Sequence, residues 1–128
     1  MSDCNSPLNA VQVLVEAINN GDREACLAAM SDDVIIIDDV APFRVSGHEA
    51  AQLWLGRVVD ARQRLHASLT LEDADVRVAQ DQAYVVAPGH LKGSATAGEF
   101  HVDGLLASTL EERDGRWLVN SLVWSSQR

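Results

Sequence analysis

Two adjacent acids, Asp38 and Asp39, close a run of four apolar residues, Val34 to Ile37. Such a run predicts a strand buried on both faces, and side chains alternate along a strand. If Val34 and Ile36 face an interior, Asp38 faces it too, while Asp39 faces away into solvent. A carboxylate among apolar side chains has a raised pKa and can shuttle protons as a general base. The competing reading is a strand that simply ends in water, because acids are depleted within strands and common at their ends.

A second group of chemistry-bearing residues surrounds a glycine-bounded turn, Gly93 to Gly98. Pairing Lys92 with Glu99 sets His90 opposite His101, with Asp103 two residues further on the same face. Two imidazoles and a carboxylate can hold Fe, Mn or Zn, which makes a metal-dependent hydrolase or oxygenase one alternative. The plainer reading is a solvated hairpin face with a Lys92–Glu99 cross-strand pair. On that reading no metal is bound and no cofactor is required.

The remaining polar candidates are fewer. Tyr84 is the only phenol and a candidate donor to an interior cavity. His66 alternates with apolar residues and faces either cavity or water. His48 opens a helix, where positive charge is disfavoured, and reads as a neutral surface residue. Arg57, Arg62 and Arg64 gather where that helix ends, which suits the helix dipole without any anionic ligand. Trp54, Trp117 and Trp124 fit a core or an interface, with room for one of them to touch a ligand.

The elements that position these residues follow from periodicity. Ser6-Pro7 is a helix start, with Ser as cap and Pro at the first helical position. Leu8, Val11, Leu14, Val15 and Ile18 then repeat at helical spacing until Asn19-Asn20-Gly21. A second helix is predicted over Asp22 to Met30, and Ser46-Gly47-His48-Glu49 reads as a capping box for a third. From about Arg64 the period becomes two. Strands are predicted over Leu65–Leu71, around Tyr84-Val85-Val86 with a bulge at Pro88-Gly89, over Phe100–Glu112, and over Trp117–Trp124 after an Asp114-Gly115 turn. The sum is an α+β domain: three N-terminal helices on a strongly bent, mainly antiparallel sheet of four long strands behind the Val34 strand, enclosing a cone-shaped cavity.

The 128 residues suffice for one domain with a core, with residues 1–6 expected as a flexible tail. A net charge of −9 argues against nucleic acid and anionic membrane as partners. No apolar run approaches the ~20 residues of a membrane span, and the N-terminus has no basic region followed by a long apolar segment. A cytoplasmic location follows as the expectation, with Cys4 and Cys26 reduced.

The order of a buried strand ending in acids, a loop, Ser46-Gly47 and a helix, closing on the Asp114-Gly115-Arg116-Trp117-Leu118-Val119 strand, resembles the nuclear-transport-factor-2-like superfamily. Within it the chain is most similar to the SnoaL-like and DUF4440 group, and more distantly to ketosteroid isomerases. Carried along without a gap, the resemblance puts Asp38 on the isomerases' catalytic base. Their oxyanion hole is built from a Tyr and a protonated Asp; here those positions fall on Leu14 and on Ala107 or Ser108. A single lost donor of that kind costs ~100- to 1000-fold in rate, so steroid isomerisation is not expected. Cyclase relatives place acid–base residues on later strands, which makes His101 and Asp103 weaker candidates. What the resemblance implies is a small, mostly apolar ligand lined by Leu14, Trp54, Tyr84 and His66. Its chemistry would be proton transfer, cyclisation or dehydration without a cofactor, or binding alone. The strands Trp117–Val119 and Leu122–Trp124, apolar on both faces, call for cover on the side away from the helices, and a homodimer packed sheet to sheet supplies it.

Overall fold

Ser6 accepts a hydrogen bond from the Asn9 backbone N–H at 3.2 Å, and Pro7 follows at the first helical position. This is how helix α1 (Pro7–Asn20) begins in the computed structural model, which describes residues 6–39 and 41–127. Its buried face, including Ala10, Val11, Leu14, Val15 and Ile18, keeps the spacing read from the sequence. Gly21 ends the helix in the left-handed conformation, φ 74°, its N–H donating back to the last turn. Cys4 and most of the expected tail lie outside the described residues.

Asp22 caps the short helix α2 (Arg23–Ala28) through a 3.1 Å bond from the Ala25 N–H. The predicted helix stops earlier than expected, because Met30 already belongs to strand β1 (Met30–Ile37). Cys26 is buried, which pushes its thiol up to about 11, so it packs as an inert hydrophobe. After β1 come β2 (Arg44–Ser46), α3 (His48–Arg64), β3 (Ser68–Leu71), β4 (Asp75–Ala79), β5 (Gln82–Ala95), β6 (Gly98–Arg113) and β7 (Arg116–Ser126). Strands β2 and β4 are additions to the sequence reading. The expected capping box is replaced as well: Gly47 caps α3 without a side-chain bond, and Ser46 ends β2. Leu65 and His66 close α3 instead of opening a strand, with His66 at φ 48°.

The sheet runs β2-β1-β7-β6-β5-β3, with β4 pairing β5 beside β3. It is antiparallel except between β1 and β7, which are parallel. No bulge occurs at Pro88-Gly89. Pro88 falls between the part of β5 paired with β4 and the part paired with β3, so no strand there asks for its missing N–H. Its carbonyl accepts from Glu72 N on that same side. The irregularity lies instead at Asn120–Ser121, where Thr109 pairs with Ser121 but Leu110 with Val119.

The hairpin also turns more tightly than expected. Ala95 pairs with Gly98, so Lys92 lies opposite His101 and His90 opposite Asp103. The register differs by two residues from the expected one, and a shift of two leaves every side chain on its face. The helices cover the inner face of the sheet, where Val34, Ile36, Val85, Leu110 and Val119 are almost fully buried. No helix among the described residues is long and apolar enough to cross a membrane.

Gly89 and Gly104 face each other across β5 and β6, and the Trp124 indole lies over both. A Cβ on Gly104 would stand 2.5 Å from Trp124 Cζ2. Gly104→Ala should therefore cost about 1–3 kcal/mol by overpacking, read by denaturant unfolding. Unchanged stability would mean that Trp124 does not rest on that strand pair.

Candidate functional site

Between the inner face of the sheet and helices α1 and α3 lies a cavity of about 380 Å³. Val15 and Ile18 of α1 and Trp54, Val58 and Arg62 of α3 form its roof. Leu106, Leu122 and Trp124 form part of its floor. Alternation along β1 continues past the strand end, so Asp38 follows Val34 and Ile36 inward and lines the chamber.

Asp38 is half-buried and held at three points. Its backbone N–H donates to Phe43 O at 2.9 Å, closing the loop before β2. Oδ1 accepts the Asp39 backbone N–H at 2.8 Å, and Oδ2 accepts the Trp54 indole N–H at 3.3 Å. Burial pushes the Asp38 carboxyl up from the usual carboxylate range, and these two donors oppose the shift without cancelling it. Asp39 is exposed and shifted the other way, chiefly because Ser126 Oγ donates to its Oδ2 at 2.5 Å. Trp124 Nε1 in turn donates to Ser126 Oγ at 3.1 Å. Two neighbouring acids pushed apart in this way differ in proton affinity: Asp38 keeps its proton to higher pH than Asp39 does.

Arg62 is the cation of this chamber among the described lining residues. It follows Trp54 and Val58 on one stripe of α3, at spacings of eight and four. Its Nη1 donates to Asn19 Oδ1 at 2.9 Å. Asn19 is itself clamped to β3, accepting from Leu69 N at 2.9 Å and donating to Leu69 O at 2.8 Å. Burial lowers the Arg62 pKa, and the Asp38 charge works against that effect. An arginine stays protonated regardless, so a partly buried positive charge is held in the same chamber as Asp38. The sequence reading missed it, attributing Arg62 to the helix dipole; the signal available was its place on the Trp54–Val58 stripe.

Other expected residues lie elsewhere. Trp54 lines the cavity, but Leu14 is fully buried in the core behind it and is not among the lining residues. Tyr84 lies on the opposite face of the sheet, 43% exposed, because Ala83 and Val85 take the inward positions of β5. His66 is exposed beyond the end of α3 and is not among the residues lining this chamber. Ser108 is buried and spends its hydroxyl on Ser121 O at 2.8 Å, and Ala107 points to the outer face. His48, placed at the surface from sequence, is partly buried, its Nε2 2.9 Å from Leu27 O.

His90, His101 and Asp103 do come together, on the outer face of the β5–β6 hairpin and away from the cavity. Asp103 Oδ1 stands 2.6 Å from both His90 Nδ1 and His101 Nε2, and Glu72 Oε2 2.7 Å from His90 Nε2. The Asp103 contact, then Glu72, raises the His90 pKa, and His90 lowers that of Asp103. Neither His101 nor Asp103 is among the residues lining the chamber; both line a separate surface pocket together with Asp39 and Ser126.

The family model of the SnoaL-like domain matches residues 8–126. No curated protein matches the chain. Among solved structures, a "putative ketosteroid isomerase" from Shewanella frigidimarina is 17% identical with a TM-score of 0.79, covering 97% of this chain and 95% of that one. The S. rosetta CaMKII hub is 18% identical with a TM-score of 0.81, over 94% and 93% of the two chains. An NTF2-like protein with a cystatin-like fold from Novosphingobium aromaticivorans is 14% identical with a TM-score of 0.79, over 91% and 77%. At such identities the likeness establishes the fold, and the fold hosts unrelated functions.

The Asp38 shift has a consequence for stability. A carboxyl whose folded pKa exceeds its unfolded value stabilises the protein below the unfolded pKa, and that contribution is lost as pH rises through the folded one. Asp38→Asn should therefore raise the thermal midpoint at pH 7 relative to the wild type, with the gap closing as pH falls toward 4. Thermal melts of both proteins across that range check it; a variant less stable at pH 7 than at pH 4, relative to wild type, contradicts it.

Proposed function

The chain belongs to the SnoaL-like domain family of the nuclear-transport-factor-2-like superfamily, and we propose that it binds a small, mostly apolar carbonyl compound in its cavity and moves a proton on the carbon next to that carbonyl. The observation that carries this reading is the pairing of a raised-pKa carboxylate, Asp38, with a fixed cation, Arg62, in one apolar chamber.

The chemistry follows from the two groups. Asp38 takes a proton from the carbon, the C–H electron pair moves into the new C=C bond of an enolate, and the charge collects on oxygen. Arg62 offers N–H donors and positive charge to that oxygen, the role left empty at Leu14 and Ser108. Trp54 fixes the orientation of Asp38 from above. The neutral Asp38 then returns its proton to another carbon, or to a departing hydroxyl, which gives isomerisation or dehydration. Apolar walls reduce the water around both groups and so strengthen their interaction with a bound substrate. A binding module without turnover would use the same cavity and the same Arg62, with Asp38 incidental.

The test is hydrogen–deuterium exchange at the α-carbon of small cyclic ketones and unsaturated carbonyl compounds, followed by NMR with catalytic protein. Wild type should exchange a bound ketone, and Asp38→Asn should lose ~10²- to 10⁴-fold of that rate. Arg62→Gln should lose a comparable ~10²- to 10³-fold through the missing oxyanion partner. Asp38→Asn exchanging at the wild-type rate excludes this base, and binding without exchange in any variant selects the module.

The outer sheet face supplies the partner surface of this reading. Ile37, Val123, Ala107 and Val86 form one row across four strands, and Leu105 and Tyr84 stand beside it, 38% and 43% exposed. We take this apolar face to pack against a second copy of the chain. Sedimentation at micromolar concentration should give a dimer, and Leu105→Glu a monomer; a monomeric wild type contradicts the assembly.

A further inference from the structure

We propose that the outer face of the β5–β6 hairpin holds a divalent transition-metal ion of the zinc type, ligated by His90 Nδ1, His101 Nε2 and Asp103 Oδ1. These three atoms all lie within 4.8 Å of one another. The register makes the site: His90 sits directly opposite Asp103, and His101 shares the outward face of β6 two residues earlier.

The geometry is close to what an ion requires. The two imidazole nitrogens stand 3.5 Å apart. Two nitrogens at about 2.05 Å from a tetrahedral ion are roughly 3.4 Å apart, so both rings are already placed. Asp103 Oδ1, 2.6 Å from each ring, is at hydrogen-bond distance and must retreat by roughly 0.7 Å to become the third ligand. Binding replaces the protons that these contacts share, which leave for solvent, and neutral imidazoles then donate their lone pairs to the ion.

Glu72 adds a second, independent feature. Its Oε2 lies 2.7 Å from His90 Nε2. A carboxylate behind the far nitrogen of a ligating histidine holds the proton there and turns the other nitrogen toward the metal. The strand register, the nitrogen spacing and this rear carboxylate agree on one location. Three protein ligands leave a fourth position for water at the surface, where all four side chains are at least partly exposed. Two imidazoles with one carboxylate suit zinc, cobalt or ferrous ion better than magnesium or calcium, which prefer oxygen. The site faces away from the cavity and does not depend on proton transfer there.

The experiment uses the full chain after treatment with chelator, titrated with Co²⁺ and then Zn²⁺. Expected are saturable binding of one Co²⁺ per chain, a visible absorption band of low coordination number, and displacement of that band by Zn²⁺. His101→Ala and Asp103→Asn should each weaken binding by at least tenfold, and Glu72→Gln by ~10- to 100-fold. His66→Asn, at a nearby exposed histidine, should leave it unchanged. Thermal melts of the metal-free proteins identify any variant that loses its fold, and the exposed Glu72→Gln then carries the comparison. No saturable binding, or binding that survives in a folded His90→Ala/His101→Ala double variant, overturns the site. Equal loss in His66→Asn overturns it as well.

Discussion

A carboxylate that points into an apolar chamber can stay there only if donors hold it and nothing nearby can pull it out to water. At Asp38 the donors are one backbone N–H and the Trp54 indole, and they attach β1 to α3 at the end of the chamber. Much of the rest can be read outward from this attachment. The loop before β2 is closed by the Asp38 N–H on Phe43 O, and Trp54 fixes the rotation of α3. With that rotation set, Val58 and Arg62 also face the chamber.

A second clamp works at the opposite end of α3. Asn19, the penultimate residue of α1, binds both backbone groups of Leu69 on β3 and the guanidinium of Arg62. One amide thus joins α1, α3 and the sheet edge and presents a cation to the chamber. An unpaired buried guanidinium would be costly, and Asn19 satisfies part of it without neutralising its charge. The two clamps leave the chamber with a carboxyl and a permanent cation of fixed position among apolar walls. This polarity, not the depth of the cavity, is what makes proton movement the natural reading.

Much of this was legible in the chain. Alternation from Val34 through Ile36 gave the inward turn of Asp38, the apolar spacing of α1 gave one of the helices that roof it, and Ser46-Gly47 marked where the other begins. Tyr84 was unreadable because Ala83, Tyr84, Val85 and Val86 are all tolerable in a core, so nothing local fixes which parity faces inward. The hairpin register slipped by two because its glycines suggested a turn over Gly93 to Gly98, whereas the strands run on to Ala95 and Gly98. Its parity survived, so His90, His101 and Asp103 still converge. Pro88 suggested a bulge because the gap between β3 and β4 that excuses it is a tertiary feature. Strand β4 is short and mostly exposed, so its pattern carries little hydrophobic signal.

The central claim is that Asp38 is a carboxyl kept partly out of water while its neighbour is not. The direct measurement is a ¹³C NMR titration of the Asp38 and Asp39 side-chain carboxyl carbons in the same sample. Asp38 should titrate above the ordinary aspartate value of about 3.9 and Asp39 below it. An Asp38 that titrates at or beneath 3.9, or that exchanges order with Asp39, contradicts it and leaves the chamber without a base.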